Sequence, residues 1–172
     1  NLYYASETNI YRYPDVSIAG NGTYGSVNGS GTAAAFRLQN GKIICDSKGN
    51  IYSLEPFNKK LRKITPDGLV SNFVGNGMNQ SIDGTPGSIL NPIDVTIDKY
   101  DNLYILETSK IRVASTIRGL TTINLTIAPT SITYANDSFY ATYNNNIYKI
   151  SRSGSTVTVF SQNIPANKIR QA

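Results

Sequence analysis

Three short sequence signatures recur in the same order along this chain, and they constrain the fold more than any other feature. The first is Asp-x-x-x-Asn followed by an apolar residue and Tyr. The second is Gly-Asn-Gly with a small-residue turn downstream, and the third is a short apolar stretch with interspersed basic residues. The first occurs at 46–52 and 98–104, with its apolar–Tyr end repeated at 2–3 and 139–140; the second occurs at 18–32 and 73–87; the third occurs at 9–13, 60–64, 110–113 and 146–150. Ordered repetition of this kind is typical of a repeat architecture.

Each repeat unit predicts four short β-strands. In the best-preserved unit these are strand A (42–45), strand B (51–54), strand C (60–64) and strand D (69–74), and the last two are joined by a Pro-Asp-Gly turn. Twelve Tyr and fourteen Gly fit a chain rich in strands and turns. Four-stranded units of about 40–50 residues predict an all-β chain, a β-propeller of four-stranded antiparallel blades. We expect about four blades, and a chain that begins with Asn1 is expected to be a processed product or an excerpt of a larger propeller.

The repeats divide residues 1–172 into the blades of a single domain. The predicted spans are 1–20 for strands B–D of blade 1, 21–75 for blade 2, 76–125 for blade 3, 126–162 for blade 4 and 163–172 for a tail strand A. The phase of the repeat predicts that four apolar residues occupy equivalent, buried positions in strand B. They are Leu2, Ile51, Leu103 and Phe139.

The two ends of the chain predict how the propeller closes. The first unit lacks a strand A, and the tail around Lys168 and Ile169 resembles the start of one. We expect the tail to pair beside Leu2, Tyr3 and Tyr4, because an unpaired edge strand promotes aggregation. Pairing within one chain closes a ring and is favoured by effective concentration, whereas pairing between chains builds a filament. A third alternative is pairing with further blades outside this sequence.

Several of these segments together resemble NHL repeats. The resemblance rests on 16–22, 32–36, 46–52, 61–68 and 73–77. It implies a binding or scaffolding propeller, often secreted or surface-attached. Some members bind single-stranded RNA, and related propellers are metal-dependent lyases or lactonases. The lyases depend on His ligands and the lactonases on a central Glu, Asn and Asp set that cannot be mapped here. The family usually has about six blades.

Composition excludes several kinds of chemistry. The chain has no His, no Trp and one Cys, so it can build neither a Ser-His-Asp or Cys-His arrangement nor a His-ligated metal site. We therefore predict no enzymatic activity, no cofactor and no metal. No stretch approaches the roughly 18 apolar residues of a membrane helix, which predicts no membrane insertion.

Two acidic residues occupy equivalent positions after strand B, Glu55 and Glu107. Equivalent acids in successive blades suggest a cation site. The favoured interpretation is that they are turn residues of the repeat. Asp46 and Asp98 are predicted to form turns by accepting hydrogen bonds from the nearby backbone.

One basic cluster is a candidate binding patch, formed by Lys59, Lys60, Arg62 and Lys63. Such a cluster near aromatic residues is able to contact phosphates and bases. A solvated edge strand is the favoured interpretation, because a net charge of +5 is modest for a nucleic-acid-binding face.

Five Asn-x-Ser/Thr sequons are candidate glycosylation sites. They are Asn21, Asn28, Asn79, Asn124 and Asn136. Their number is about that expected from composition, so it is not evidence for glycosylation.

The function predicted from these features is that of a non-enzymatic, extracellular or cell-surface binding or self-assembly module. Its expected partners are a protein or identical subunits, with nucleic acid disfavoured. The alternatives are a metal-dependent hydrolase or lyase and a single-stranded RNA-binding propeller.

Overall fold

The computed structural model describes residues 2–85, 87–115, 119–154 and 157–161, which form four antiparallel β-sheets. The sheets are blade 1 (β1–β3), blade 2 (β4–β8), blade 3 (β9–β12) and blade 4 (β13–β16), and each lies within the span predicted for it. The β-propeller expectation is confirmed.

The strands follow the chain order within each blade, apart from one added at the outside of blade 2. Blade 1 contains β1 (Tyr3–Ala5), β2 (Ile10–Arg12) and β3 (Val16–Ala19); blade 2 contains β4 (Gly29–Ser30), β5 (Lys42–Cys45), β6 (Ile51–Glu55), β7 (Lys60–Ile64) and β8 (Leu69–Val74). Blade 3 contains β9 (Asp94–Ile97), β10 (Leu103–Glu107), β11 (Lys110–Ser115) and β12 (Gly119–Asn124); blade 4 contains β13 (Ser131–Ala135), β14 (Ser138–Tyr143), β15 (Asn146–Ser151) and β16 (Val157–Ser161). In the best-preserved unit the four predicted strands match β5–β8 to within one residue.

An aspartate fixes the turn between the first two regular strands of blades 2 and 3. The Asp46 carboxylate accepts the backbone N–H groups of Lys48 and Asn50, at 3.0 and 2.8 Å. It also accepts the Asn50 amide and the Tyr52 hydroxyl. Asp98 makes the same set of contacts in blade 3. The predicted turn role of both aspartates is confirmed, and it accounts for the Asp, Asn and Tyr of the first signature.

The hydrophobic core lies between blades, so that strands are covered on both faces. Separate clusters of buried apolar side chains join blade 1 to blade 2, blade 2 to blade 3, and blade 3 to blade 4. Every residue of β6 and of β10 is buried. Burial on both faces explains why these strands do not alternate between apolar and polar residues.

The small-residue turn of the second signature adds a strand at the outside of blade 2. Gly29 and Ser30 of β4 pair with Val70 and Leu69 of β8. In blade 3 the equivalent contact is a single bridge between Gly84 and Leu120. A Cβ at Gly29 would lie 2.9 Å from the Cβ of Ala33, so a small residue is required at this close approach. The added strand covers the outer edge of the sheet, which would otherwise present unpaired backbone groups.

The prediction of four equivalent buried residues is wrong for Leu2. Ile51, Leu103 and Phe139 are at most 1% exposed, but Leu2 is 67% exposed. Its backbone lies in the equivalent register, since the Tyr13 N–H donates to the Leu2 carbonyl. The physical reason is that the three buried residues each pack against the preceding blade, whereas no such apolar cluster among the described residues covers this face of blade 1.

The predicted closure of the ring stays a prediction. Tyr3 and Tyr4 lie in β1, whereas Lys168 and Ile169 lie outside the described residues. Among the residues that the structure describes, no helix is long and apolar enough to span a membrane.

Candidate binding surface

The loops of the propeller divide between two faces. One face, here called the loop face, carries the loops 6–9, 56–59, 108–109 and 144–145 together with the connections 20–41 and 75–93 between blades. The opposite face, here called the turn face, carries the Asp-containing turns 46–50 and 98–102. The connections on the loop face are long, and side chains as well as backbone pairing fix their conformation.

A buried ion pair fixes the first of these connections onto blade 2. Arg62 is completely buried, and its Nη1 lies 3.3 Å from Oε1 of Glu55. Its Nη2 donates to the carbonyl of Val27 and to Oδ1 of Asn28, both at 2.8 Å. The Glu55 carboxylate in turn accepts the backbone N–H of Arg37 at 3.1 Å. Two separate points of the connection are thereby attached to one buried pair.

Blade 3 repeats this arrangement with an additional carboxylate. Arg112 is completely buried and contacts Glu107 at 3.2 Å and Asp83 at 2.8 Å. It also donates to the hydroxyl of Ser81 and to the carbonyl of Ser88, at 2.8 and 3.0 Å. Asp83 stands in the sequence repeat where blade 2 has Asn28. The second signature therefore supplies the group that receives the buried arginine.

These contacts correct the expectations for the two glutamates. Glu55 and Glu107 are not turn residues: each is the last residue of a strand, β6 or β10, and each is buried and paired with an arginine. Burial raises the pKa of Glu55 although Arg62 opposes that shift, and burial lowers the pKa of Arg62 although Glu55 opposes it. Desolvation thus outweighs the attraction for both partners.

Replacing Asn28 with aspartate is expected to stabilise the protein by copying the arrangement around Asp83. Desolvation alone would raise the pKa of Asp83, but hydrogen bonds from Thr122 and Arg112 outweigh it and lower the pKa. An acid whose pKa is lowered by folding contributes stability above its unfolded pKa, and loses it as the pH falls through its folded pKa. We expect Asn28→Asp to raise the free energy of unfolding by about 0.5–1 kcal/mol at pH 7. The gain should disappear below about pH 4.

Urea denaturation across this pH range measures the effect. Asn79→Asp is the matched control, since Asn79 is exposed and makes no side-chain hydrogen bond within the described part of the chain. An equal change in both variants would contradict the assigned role of Arg62.

An exposed cluster of two aromatic rings and an arginine lies above the buried pair. Cζ of Arg37 is 4.1 Å from the ring centre of Phe57 and 5.8 Å from that of Tyr24. Nε of Arg37 donates to Gln39 at 3.2 Å, and the Tyr24 hydroxyl donates to the Glu7 carboxylate. Phe57 is 48% exposed and Tyr24 is 55% exposed. We call Tyr24, Arg37 and Phe57 the aromatic–arginine cluster.

Three shallow depressions follow one another across the loop face beside this cluster. Their volumes are about 260, 360 and 130 Å³, in order from blade 1 to blade 3. Asn40 lines both the first and the second, and Asn91 lines both the second and the third. We call the three together the loop-face groove. The middle depression is lined by Asn40, Pro56, Phe57, Lys59, Asn91, Pro92 and Ile93.

The residues at the junctions of the groove have an unusual backbone conformation. Asn40, Lys59 and Asn91 have φ values of 55°, 50° and 50°, in the left-handed region. Asparagine tolerates this region better than most residues. Within the described residues, the side chains of these three make no hydrogen bond or ion pair. They are therefore available to a ligand.

The four residues of the predicted basic patch do not lie on one surface. Lys59 lines the groove, and Nζ of Lys60 donates to Ser26 at 2.8 Å. Lys63 lines a cavity of about 310 Å³ near the turn face, beside Tyr52 and Tyr100. Arg62 is buried, so it cannot belong to a surface patch. Of the predicted cluster, only Lys59 borders the candidate binding surface.

All five sequon asparagines are exposed. Asn21 accepts from the backbone and hydroxyl of Thr23, and Asn28 accepts from Arg62. The side chains of Asn79, Asn124 and Asn136 extend from other exposed positions. Glycosylation of these residues stays a prediction.

The sequence did not single out the residues that form this surface. Tyr24, Arg37 and Phe57 lie in different loops, and only the folded connection brings them together. Among the described residues, no group of three or more His, Cys, Asp and Glu side chains is arranged to hold a metal ion.

Comparisons with known proteins relate the chain to solved structures. No protein-family model matches the chain, and no curated protein matches it in sequence. A structure of virginiamycin B lyase from Staphylococcus aureus is similar, with a TM-score of 0.60, 16% identity, and coverage of 90% of this chain and 48% of the lyase. A chain of a nidogen/laminin complex gives a TM-score of 0.52 and 16% identity, with coverage of 72% and 46%.

A third similar structure is an extracellular domain assigned to a hybrid two-component system from Bacteroides thetaiotaomicron. Its TM-score is 0.52 at 17% identity, with coverage of 95% of this chain and 28% of that one. The chain therefore spans about half the length, or less, of the structures it resembles. At these identities the likeness concerns the fold, and it agrees with the blades seen here: the chain has the β-propeller fold.

Proposed function

We propose that this chain is a non-enzymatic propeller module of NHL type that binds a protein partner outside the cell. The observation that carries the proposal is the exposed aromatic–arginine cluster beside the loop-face groove. Aromatic residues and arginine are enriched in protein–protein interfaces and dominate their binding energy. The buried Glu55–Arg62 pair holds the backbone under Arg37 in place, so little conformational entropy is lost on binding.

The composition of the chain supports a binding role rather than an enzymatic one. The chain contains no histidine, and a histidine-to-alanine variant of the similar lyase is described as catalytically inactive. The glutamates that could have formed a cation site are engaged by buried arginines. The middle depression of the groove presents amides, lysine, proline, isoleucine and an aromatic ring, which are not an acid–base pair.

The ordered signatures support the NHL assignment, and the structural relatives support the extracellular location. One similar structure is an extracellular domain, and another belongs to a protein–protein complex. Dispersal of the basic cluster over three different environments disfavours a nucleic-acid-binding face.

Site-specific photocrosslinking tests the proposal. We expect Phe57→p-benzoylphenylalanine, in an extract of the source cells, to crosslink to a discrete polypeptide identified by mass spectrometry. The matched control carries the same reagent at Tyr100, which is 65% exposed but lies on the turn face. The same products at both positions, or none at Phe57, would contradict binding through the loop face.

Self-assembly is the second candidate function, and the exposed apolar side chains at the start of blade 1 favour it. Leu2 is 67% exposed and Tyr4 is 38% exposed. A second copy could cover both side chains. Crosslinking of the reagent at Tyr4 to a second copy of the chain would support this function, whereas labelling only within one chain would contradict it.

A further inference from the structure

We propose that the loop-face groove binds an extended peptide segment in which acidic side chains flank an apolar one. This inference rests on the proposed function, because it names the partner chemistry of the same surface. It follows from the charges, the amides and the apolar walls of the groove.

The net charge around the groove is positive. Arg37 beside it, Lys59 in the middle depression and Lys110 in the third make no ion pair with any described residue. Of the two glutamates that border the groove, Glu107 is paired with the buried Arg112, whereas Glu7 keeps its charge while it accepts a hydrogen bond from Tyr24. Three unpaired cations against one unpaired carboxylate leave an excess of positive charge that attracts the carboxylates of a ligand.

The two asparagines at the junctions of the groove, Asn40 and Asn91, can form hydrogen bonds with a peptide backbone. A primary amide offers both a donor and an acceptor, and it can therefore pair with the N–H and C=O of an extended chain. Asn40 and Asn91 separate successive depressions, and both side-chain amides are unused within the described residues. A chain that follows the groove from blade 1 to blade 3 passes both of them.

The middle depression suits an apolar side chain. Its walls are Pro56, Pro92, the half-exposed ring of Phe57 and Ile93, which is 38% exposed. Lys59 lies at the same depression, and Arg37 stacks on the far side of its aromatic wall. An apolar residue seated here would place neighbouring acidic residues near both cations. RNA fits less well, because Phe57 is the one aromatic ring among the residues that line this depression, whereas single-stranded nucleic acid stacks successive bases on several rings.

Fluorescence anisotropy with defined probes tests the inference. The first probe is a fluorescein-labelled octapeptide with leucine between two glutamates in a Gly-Ser background. The second replaces both glutamates with glutamine, and the third is a labelled oligouridine of the same length. We expect the acidic peptide to bind about tenfold more tightly than its glutamine counterpart, at physiological salt.

Variants of the chain locate the binding. Arg37→Glu should weaken binding of the acidic peptide about tenfold or more. The double variant Asn40→Gly with Asn91→Gly keeps the left-handed backbone but removes both amides, and should weaken it about fivefold. Lys48→Glu, a charge reversal on the turn face, is the control and should change it less than about twofold.

Several outcomes would overturn the inference. They are equal binding of both peptides, tighter binding of oligouridine, no binding of either peptide, and insensitivity to Arg37→Glu. Loss of binding in the Lys48→Glu control would also overturn it, by showing that net charge alone is responsible. The peptides could fail to bind while p-benzoylphenylalanine at position 57 still crosslinks to a discrete polypeptide. In that case the proposed protein-binding function is supported and only the proposed ligand chemistry is wrong.

Discussion

Replacing Arg62 with methionine is expected to lower the free energy of unfolding by about 3–5 kcal/mol at pH 7. The variant leaves Glu55 buried without its charged partner, and it leaves the Val27 carbonyl without the Arg62 donor. Methionine fills much of the volume of the arginine side chain. The decrease in the free energy of unfolding therefore reports the lost polar contacts more than the creation of a cavity. Chemical denaturation with urea measures it.

The loss should depend on pH in a defined direction. Burial already raises the pKa of Glu55, and removing the opposing effect of Arg62 raises it further. A carboxyl group whose folded pKa is raised favours the folded state while protonated. It loses that contribution as the pH rises from the unfolded pKa through the folded one. The variant should therefore be closer in stability to the unmodified protein at pH 4 than at pH 8.

Two further variants control the interpretation. Arg152→Met removes an arginine whose side chain is 47% exposed and paired at 3.5 Å, and it should cost about 0–1 kcal/mol. The double variant Arg62→Met with Glu55→Gln should lose less than the sum of the single losses, because no charge is left buried alone. A loss below about 1 kcal/mol for Arg62→Met, or strict additivity, would contradict a structural role for the pair.

The blades could be predicted from the sequence because their determinants are local. Asp46 and Asp98 fix turns within a few residues, and the apolar–Tyr pairs mark strand B directly. These features keep their spacing in blades 2 and 3. The match between the predicted strands and β5–β8 follows from that locality.

The candidate binding surface could not be predicted because its determinants are distant in sequence. In the sequence, Arg62 is one of four clustered basic residues. In the structure its side chain points into the protein and donates a hydrogen bond to the carbonyl of Val27, which lies 35 positions earlier in the chain. The sequence likewise suggests that Glu55 is a turn residue, because its contact with the backbone of Arg37 joins residues that are distant in sequence. A signal was present: Glu and Arg recur together as Glu55 with Arg62 and as Glu107 with Arg112, and a charge pair repeated in register suggests a buried pair.

Burial, rather than repeat position, decides how much each strand-B residue contributes. Phe139 is fully buried, and its ring contacts those of Tyr104 and Tyr134 edge to face, with centres 4.9 and 5.2 Å apart. Phe139→Ala is expected to lower the free energy of unfolding by about 3–5 kcal/mol, through lost burial and the cavity that remains. Leu2 occupies the equivalent register but is 67% exposed. Leu2→Ala should therefore cost less than about 0.5 kcal/mol.

Urea denaturation of both variants shows whether burial or position in the repeat determines the loss of stability. Ile51→Val replaces Phe139→Ala in this test if the latter does not fold. Ile51 is 1% exposed, and removing one methyl group should cost about 0.5–1.5 kcal/mol. A loss for Leu2→Ala as large as that for a buried position would mean that another segment or another copy covers this face of blade 1 in solution. That result would support either the predicted closure of the ring or association of two copies, because the equivalent residues Ile51, Leu103 and Phe139 are each buried against a neighbouring blade.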